Sequence, residues 1–215
     1  MSEALRHFIW DFDGTLFDTY PVIIRNLRTA LGQFGRDADP VQAMGLMLDC
    51  IPAAMKYYAE TYQIPLEALN EAYQVCHRQA NRELEAQPMA GVREVLTEIR
   101  DSGRYNYIFT HRKLEETRAY LAKYGMTDLF RDIMAPETPG FAWKPSPDGV
   151  LALMKEYGMK PEESVMVGDR ECDLGSGRNA GIHTLHLMCP AVPEQLDCDW
   201  RIGSYAEMEP LLRKS

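Results

Sequence analysis

From Pro88 onward, short apolar runs alternate with segments of helical periodicity, and this alternation limits the folds that the chain can adopt. The runs "YNYIFT" at 105–110 and "SVMVGD" at 164–169 are each followed by such a segment. Strands that alternate with helices are typical of a parallel sheet with helices on both faces. We therefore predict an α/β fold with a Rossmann-like parallel sheet.

The same alternation predicts the individual elements. Strands are expected at 8–11, 105–110, 132–135, 164–169, 183–188 and 200–202. Helices are expected at 92–103, 113–125, 147–158, 171–181 and 205–214. Each of these helices leads into a strand or follows one, as crossover connections between parallel strands require.

Residues 18–87 differ from the rest because they show helical periodicity throughout and no convincing strand. Three or four helices are predicted there, separated near residues 35–37, at Asp49 and at Pro65. A chain of 215 residues is long enough for one sizeable core and a small inserted domain of this kind.

Composition and charge exclude several classes of protein. Hydrophobic residues make up 46% of the chain and charged residues 26%, as in an ordinary globular protein. The net charge is -9 and the basic residues form no stripe, which argues against nucleic acid as a partner. No apolar stretch approaches the ~20 residues of a membrane span. The N-terminus lacks a signal-peptide pattern, so we expect a cytoplasmic protein with no membrane partner.

The five cysteines include no C-x-x-C pair, and their number is odd. A disulfide framework or a structural zinc site is therefore not expected. We predict free thiols at Cys50, Cys76, Cys172, Cys189 and Cys198.

Polar residues gather near the predicted carboxyl ends of the strands, which is where ligands bind in open parallel sheets. One further residue, Lys144, lies ahead of the predicted helix at 147–158. The complete set is Asp11, Asp13, Gly14, Thr15, Thr110, His111, Arg112, Lys144, Asp169 and Asp173. Together they predict that several carboxylates, a hydroxyl group and one ammonium group meet at one edge of the sheet.

Asp11 and Asp13 define the first part of this site. Because side chains alternate along a strand, the two carboxylates project to one side and Phe12 projects to the other. Such a pair suits Mg²⁺, which binds through one or two carboxylates plus substrate phosphate. The alternative is a β-hairpin with Asp13-Gly14 as its turn, since Asp-Gly between apolar runs is a strong hairpin signal.

Other residues of the set also have a structural alternative. Asp169 and Thr110 could each cap the helix that follows, and Lys144 could be a solvent-exposed loop residue. These alternatives, like the hairpin, account for the residues only one at a time. A shared site accounts for all of them together.

Four motifs, "DFDGTL", "YIFT", "WKPSP" and "VGDRECD", follow one another along almost the whole chain. In order and spacing they resemble the motifs of the haloacid dehalogenase-like superfamily of hydrolases. The helical segment after the first motif is similar to the cap of phosphoglycolate phosphatase-like members. The resemblance implies a catalytic core at 1–17 and 88–215 and an all-helical cap at 18–87.

The resemblance also implies roles for the carboxylates. Asp11 would be the nucleophile that forms an aspartyl-phosphate, and Asp13 would be the general acid and base. Mg²⁺ would be held by Asp11, the backbone carbonyl of Asp13, and Asp169. Asp173 would support the metal end of the site or hold Lys144. The chemistry needs a cation, because a carboxylate that attacks a phosphate dianion is repelled by it.

The same resemblance implies that Thr110 and Lys144 bind the phosphoryl group. Backbone amides at Gly14 and His111 would assist them, since the charge of a phosphoryl group in transfer spreads over three equatorial oxygens. His111 departs from the family, in which Asn is frequent at this position. Arg112 is predicted to be solvent-exposed, with bidentate contact to a substrate carboxylate or phosphate as the alternative.

The predicted function is Mg²⁺-dependent hydrolysis of a small phosphorylated metabolite, a phosphomonoester, by a monomer or homodimer. Family members that cleave carbon–halogen bonds lack the second aspartate, so Asp13 favours phosphoryl transfer. A sugar-phosphate mutase of the same superfamily is the first alternative, and a non-catalytic binding protein on the same fold is the second. A phosphonate hydrolase would need a lysine in the cap, where Lys56, predicted to be solvent-exposed, is the only lysine.

Overall fold

The computed structural model of the chain describes residues 5–49, 51–189 and 196–212. The chain divides into two compact units. The first contains the residues before Thr19 and those from Pro88 onward, and the second is Thr19–Gln87. Within the described ranges, no helix is both long enough and apolar enough to cross a membrane.

A parallel sheet forms the centre of the first unit. The described residues contribute six strands to it: β1 (His7–Trp10), β2 (Tyr105–Phe109), β3 (Asp132–Met134), β4 (Ser164–Gly168), β5 (His183–Leu187) and β6 (Trp200–Ile202). They lie in the order β3-β2-β1-β4-β5-β6, which is the strand order of a Rossmann-type sheet. The predicted α/β fold is therefore confirmed.

The second unit is helical, as predicted. Its described part contains α1 (Tyr20–Gly32), α2 (Pro40–Asp49), α3 (Ile51–Tyr62) and α4 (Leu66–Glu83). The predicted breaks near residues 35–37 and at Pro65 fall between helices, and Asp49 ends α2. Lys56 lies on α3 with 68% of its side chain exposed, as the sequence predicted.

Helices of the first unit occupy the predicted positions except at the end of the chain. They are α5 (Val92–Asp101), α6 (Leu114–Lys123), α7 (Asp148–Tyr157), α8 (Glu171–Ala180) and α9 (Glu209–Leu212). The predicted helix at 205–214 is divided into a 3-10 turn, Tyr205–Met208, and the short α9. Pro210 lacks the backbone N–H that a continuous helix needs, but it is accepted in the first turn of α9. Residues 213–214 of that prediction lie outside the described residues.

Short elements and free thiols complete the description. Two-residue strands, Phe17–Asp18 and Gln87–Pro88, lie where the chain passes from one unit to the other, and 3-10 turns occur at Thr127–Leu129 and Pro161–Glu163. Four cysteines are free, as predicted, namely Cys76, Cys172, Cys189 and Cys198. Cys50 lies outside the described residues.

Burial explains why the apolar runs form the central strands. Phe8, Ile9 and Trp10 of β1 are completely buried, and so are Val165 and Val167 of β4. Continuous apolar runs of this kind are typical of strands that are covered on both faces. The carboxyl ends of β1 and β4 are therefore held firmly beside each other, and this is where the predicted site residues begin.

The hairpin alternative for Asp13-Gly14 is wrong. β1 pairs in parallel with β2 and with β4. Instead of a hairpin, a tight turn follows β1, in which the Phe12 carbonyl accepts hydrogen bonds from the backbone amides of Leu16 and Phe17, both at 3.0 Å. Gly14 has a φ of 80° in this turn, a conformation that glycine adopts without steric cost.

Candidate active site

The main chain places three polar residues at the carboxyl ends of neighbouring strands. Asp11 follows β1, and its N–H donates to the Val167 carbonyl of β4 at 2.9 Å. Thr110 follows β2, and its N–H donates to the Met134 carbonyl of β3 at 3.0 Å. Asp169 follows β4 directly. Parallel strands end at the same edge of a sheet, so these residues lie along one rim, around the point where the strand order reverses.

Lys144 joins two of the carboxylates. Its ammonium group donates hydrogen bonds to Oδ1 of Asp11 and, at 2.7 Å, to Oδ1 of Asp173. All three side chains are almost completely excluded from solvent. The alternative that Lys144 is a solvent-exposed loop residue is therefore wrong. A buried ammonium group is tolerated here because two carboxylates compensate its charge.

Burial and charge shift the protonation equilibria of this cluster. Burial raises the pKa of Asp11 to about 6, and the negative charge of Asp173 adds to the increase. Burial opposes the charge of Lys144, but its contacts with Asp11 and Asp173 raise its pKa overall. Burial likewise opposes the charge of Asp173, yet attraction by Lys144 and Arg170 lowers its pKa overall. Lys144 and Asp173 therefore remain charged at neutral pH.

A divalent cation fits beside Asp11. Carboxylate oxygens of Asp11, Asp169 and Asp173 lie within 4.8 Å of one another, and all three residues are buried. Oδ2 of Asp11 is buried without a hydrogen-bond partner in the part of the chain that the structure describes. Two cationic side chains compensate two of the three negative charges. Lys144 is in direct contact with the cluster, and Arg170 lies further away, at 4.0 Å from Asp11 and 3.6 Å from Asp173. Hard oxygen ligands with residual negative charge suit Mg²⁺.

Arg112 contacts Asp13 instead of solvent. Its Nη2 donates to Oδ1 of Asp13 at 2.6 Å, its Nη1 donates to Glu116 at 3.3 Å, and only 7% of its side chain is exposed. The prediction that Arg112 is solvent-exposed is therefore wrong, because it took no account of partners distant in sequence. The carboxylate of Asp13 is not part of the group formed by the other three aspartates, and the resemblance implied only its backbone carbonyl as a metal ligand.

Thr110 and His111 stabilise the loop after β2 and the start of the Lys144 loop. Oγ1 of Thr110 accepts a hydrogen bond from the Arg112 N–H at 3.0 Å. The helix that follows begins at Leu114, so the alternative that Thr110 caps it is wrong. Nε2 of His111 accepts a hydrogen bond from the Lys144 N–H at 2.8 Å. Burial, with the nearby charge of Lys144, lowers the pKa of His111 to about 4, so the ring is neutral at pH 7 and can accept this bond.

Known proteins are similar to this chain in sequence and in fold. The model of the family described as haloacid dehalogenase-like hydrolases matches residues 8–187. The chain belongs to the haloacid dehalogenase-like hydrolase family. A pyrophosphatase PpaX from Halalkalibacterium halodurans is 27% identical over 82% of this chain and 80% of its own length. A phosphoglycolate phosphatase from Agrobacterium fabrum is 25% identical over 95% of this chain and 91% of its own length.

A solved structure of another member has the same fold as this haloacid dehalogenase-like hydrolase. It is a HAD family hydrolase from Deinococcus radiodurans R1 with bound phosphate and sodium. Its TM-score is 0.80 at 21% identity, over 97% of this chain and 95% of that one. The family resemblance and the assignment as a hydrolase with phosphatase-named relatives are thereby confirmed. The roles of single residues and the metal stay predictions.

Two further residues of this haloacid dehalogenase-like hydrolase, Thr15 and Tyr205, contribute to the site. Oγ1 of Thr15 donates to Oδ1 of Asp169 at 3.1 Å, and the hydroxyl group of Tyr205 donates to the Thr15 carbonyl at 2.7 Å. Asp169 is therefore oriented by Thr15. It is not the N-cap of α8, which is Arg170. The "DGT" spacing pointed to Thr15, whereas nothing in the local sequence points to Tyr205.

Proposed function

We propose that this hydrolase performs Mg²⁺-dependent hydrolysis of a small phosphomonoester through an aspartyl-phosphate intermediate. The observation that carries the proposal is the environment of Asp11. Its Oδ1 is held by Lys144, and its buried Oδ2 has no hydrogen-bond partner among the described residues. One oxygen is thus oriented by a cationic side chain. The other lies 4.0 Å from Nη2 of Arg170, accepts no hydrogen bond from the described residues, and is proposed to bind the metal.

In the proposed reaction, Oδ1 of Asp11 attacks phosphorus while the bond from phosphorus to the leaving oxygen breaks. Asp13 gives that oxygen a proton. Water then attacks the aspartyl-phosphate, and Asp13 takes a proton from the water. Inorganic phosphate leaves, and the carboxylate of Asp11 is restored.

Phosphate binding is proposed for Lys144, which supplies a positive charge, Thr110, which supplies a hydroxyl group, and His111, which supplies a backbone amide. Gly14 and Arg112 are not included. The Gly14 N–H donates to the Phe17 carbonyl at 2.8 Å, and the Arg112 guanidinium donates to Asp13 and Glu116. Donors that are already fixed in a buried site stabilise the spreading charge of a phosphoryl group best. The burial of Thr110 and Lys144 supports this part of the proposal.

Mg²⁺ is proposed to be held by Asp11, the backbone carbonyl of Asp13, and Asp169. When bound, the cation neutralises the negative charge of the nucleophile and of the phosphate, and so lowers the repulsion between them. The close approach of three buried carboxylates supports this assignment. Asp173 was expected either to support the metal end of the site or to hold Lys144. Its 2.7 Å contact with Lys144 supports the second role.

Residues 18–87 are proposed to act as a cap for a catalytic core formed by 1–17 and 88–215. A cap that closes over a site excludes water and contacts the leaving group. The separate, helical character of Thr19–Gln87 supports this division. The choice among small phosphorylated metabolites is therefore proposed to depend on the helical residues.

Phosphate release from a panel of compounds tests the proposal. The panel contains sugar and nucleoside monophosphates, together with phosphoglycolate, N-acetylmuramic acid 6-phosphate and pyrophosphate, because relatives carry these substrates in their names. Each compound is tested with Mg²⁺, with EDTA, and with Asp11→Asn. We expect turnover that needs Mg²⁺ and that falls by about 10⁶-fold in Asp11→Asn, as after loss of another catalytic nucleophile.

Three outcomes of this assay would contradict the proposed function or the role proposed for Asp11. Turnover that survives in Asp11→Asn would show that the nucleophile is wrong. Sugar-phosphate isomerisation that exceeds phosphate release, in the presence of a bisphosphate, would assign a mutase instead. A folded protein without turnover on any compound would favour a binding role. Asp101→Asn, at an exposed position on α5, is the matched control and is expected to keep wild-type turnover.

A further inference from the structure

The contact between Arg112 and Asp13 gives the acid and base of the proposed reaction a fixed partner. Nη2 of Arg112 donates to Oδ1 of Asp13 at 2.6 Å. Hydrogen bonds from a charged donor such as the guanidinium are shorter and stronger than those between neutral groups. Because 20% of the Asp13 side chain and 7% of the Arg112 side chain are exposed, water competes little for this contact.

Arg112 is itself held in place from two directions. Its Nη1 donates to Glu116 of α6 at 3.3 Å. Its guanidinium carbon lies 5.2 Å from the ring centre of Phe12 and 5.5 Å from that of Tyr120. Aromatic faces attract a cation at such distances, and the planar guanidinium presents its donors in a rigid fork. Asp13 therefore meets a donor whose position is already set.

We propose that Arg112 is a positioning residue that orients the carboxyl group of Asp13 for proton transfer. The inference rests on the proposed function, because it concerns the acid and base of that reaction. Arg112 engages Oδ1, which assigns the transferred proton to Oδ2. A carboxyl group that rotates freely points at the leaving oxygen only part of the time, whereas a group that is held is preorganised for the transfer.

The proton balance follows from this assignment. In the first step the O–H bond at Oδ2 of Asp13 breaks, and its proton goes to the leaving oxygen as phosphorus passes to Asp11. In the second step a proton of the attacking water goes to Oδ2, as the water oxygen bonds to phosphorus and the bond to Asp11 breaks. Oδ1 keeps its contact with Arg112 in both steps, so the carboxyl group does not have to turn.

The dependence of the rate on the leaving group measures this role. An alkyl phosphate has a poor leaving group that needs a proton from Asp13, whereas p-nitrophenyl phosphate has a good leaving group that needs little assistance. We expect Arg112→Met to lower kcat/KM for the best alkyl phosphate by about tenfold or more, and that for p-nitrophenyl phosphate by less than about threefold. Asp13→Asn is expected to show the same selectivity with a larger loss.

Further variants separate positioning from a structural role. Because Arg112 acts through Asp13, adding Arg112→Met to Asp13→Asn is expected to cause no further loss. Arg112→Lys keeps a cation without the planar fork and is expected to recover part of the rate with the alkyl phosphate. Arg118→Met, at an exposed position on α6, is the matched control and is expected to leave both rates unchanged.

Equal losses for the two substrates, or additive losses in the double variant, would overturn the inference and leave the proposed function intact. Wild-type turnover in Asp11→Asn would overturn the proposed function instead, whatever Arg112→Met shows. If Arg112→Met does not fold, Arg112→Gln decides the question. Glutamine keeps an apolar stem and a polar end. Arg112→Gln is expected to lower kcat/KM for the alkyl phosphate more than that for p-nitrophenyl phosphate.

Discussion

Asp11 shows how one buried side chain lowers the stability of the protein when no metal is bound. Its pKa in the folded protein is about 6, above the ordinary value of 3.8. The folded protein therefore binds this proton more tightly than the unfolded chain does. The charged carboxylate destabilises the folded state above about pH 6, and this effect fades as the pH falls from 6 towards 3.8.

Replacing Asp11 by Asn is therefore expected to stabilise the metal-free protein at pH 7.5. Burial and the charge of Asp173 disfavour the Asp11 carboxylate more than Lys144 favours it, and Asp173 still compensates Lys144 in the variant. The gain is expected to shrink as the pH is lowered towards 4, where the wild-type carboxyl group is protonated. Urea unfolding in EDTA measures both effects, with Asp101→Asn as a control that shows no gain. A gain that grows on acidification would contradict this account.

At the scale of elements, Asn106 links β1, β2 and the segments beside them. Its side-chain oxygen accepts a hydrogen bond from Nε1 of Trp10 at 3.0 Å. Its side-chain nitrogen donates to the Leu96 carbonyl of α5 at 3.0 Å and to the Leu129 carbonyl at 3.1 Å. Asn106 is 1% exposed, so its removal leaves three polar groups in a buried region.

Asn106→Ala is expected to lower the free energy of unfolding by about 3 to 5 kcal/mol, because unpaired buried polar groups are costly. Asn70→Ala, at an exposed position on α4, is expected to change it by less than about 0.5 kcal/mol. Urea unfolding of the two variants beside the wild type checks this. A loss below about 1 kcal/mol in Asn106→Ala would show that the three groups find other partners.

Gly168 allows β4 to approach the first turn of α8. A Cβ atom at this position would lie 2.3 Å from Cβ of Asp173 and 2.9 Å from its carboxyl carbon. Real Cβ atoms do not approach each other so closely, so any larger residue must displace Asp173 or the strand. The position of Asp173 against Lys144 therefore depends on this glycine.

Gly168→Ala is expected to reduce kcat by about 100-fold, because a displacement of about 1 Å near a reacting group has effects of this size. It is also expected to lower the melting temperature. Gly45→Ala lies on α2, where the added carbon would meet no described residue outside the adjacent helix backbone within 4 Å. It is expected to stabilise the protein by about 0.5 to 1 kcal/mol. Wild-type turnover in Gly168→Ala would show that Asp173 tolerates displacement.

At the scale of the whole molecule, a metal that binds only the folded form raises its stability. Free Mg²⁺ at 100 times its Kd is expected to add about 2.7 kcal/mol to the free energy of unfolding. Asp169→Asn removes a proposed ligand and is expected to abolish this gain, whereas Asp101→Asn is expected to retain it. Thermal unfolding in Mg²⁺ and in EDTA checks the effect. A wild-type melting temperature that does not respond to Mg²⁺ would contradict the proposed metal site.

Local patterns were sufficient to predict the α/β fold, the helical second unit and the rim that holds Asp11, Thr110 and Asp169. Periodicity and turn residues act over a few positions, so they are readable without the tertiary structure. The carboxyl ends of parallel strands meet at one edge in any sheet of this kind. The residue types at the site, their order and the family therefore followed from the sequence alone.

Only the tertiary structure decided which partners the long side chains have. Arg112 contacts Asp13 across 99 residues of sequence, Lys144 contacts Asp11 across 133, and the Tyr205 hydroxyl reaches the backbone of Thr15 across 190. Such pairs form when separate strands and loops pack around a common core. Each long side chain has several rotamers of similar energy, and the choice among them depends on packing that no local stretch of sequence contains.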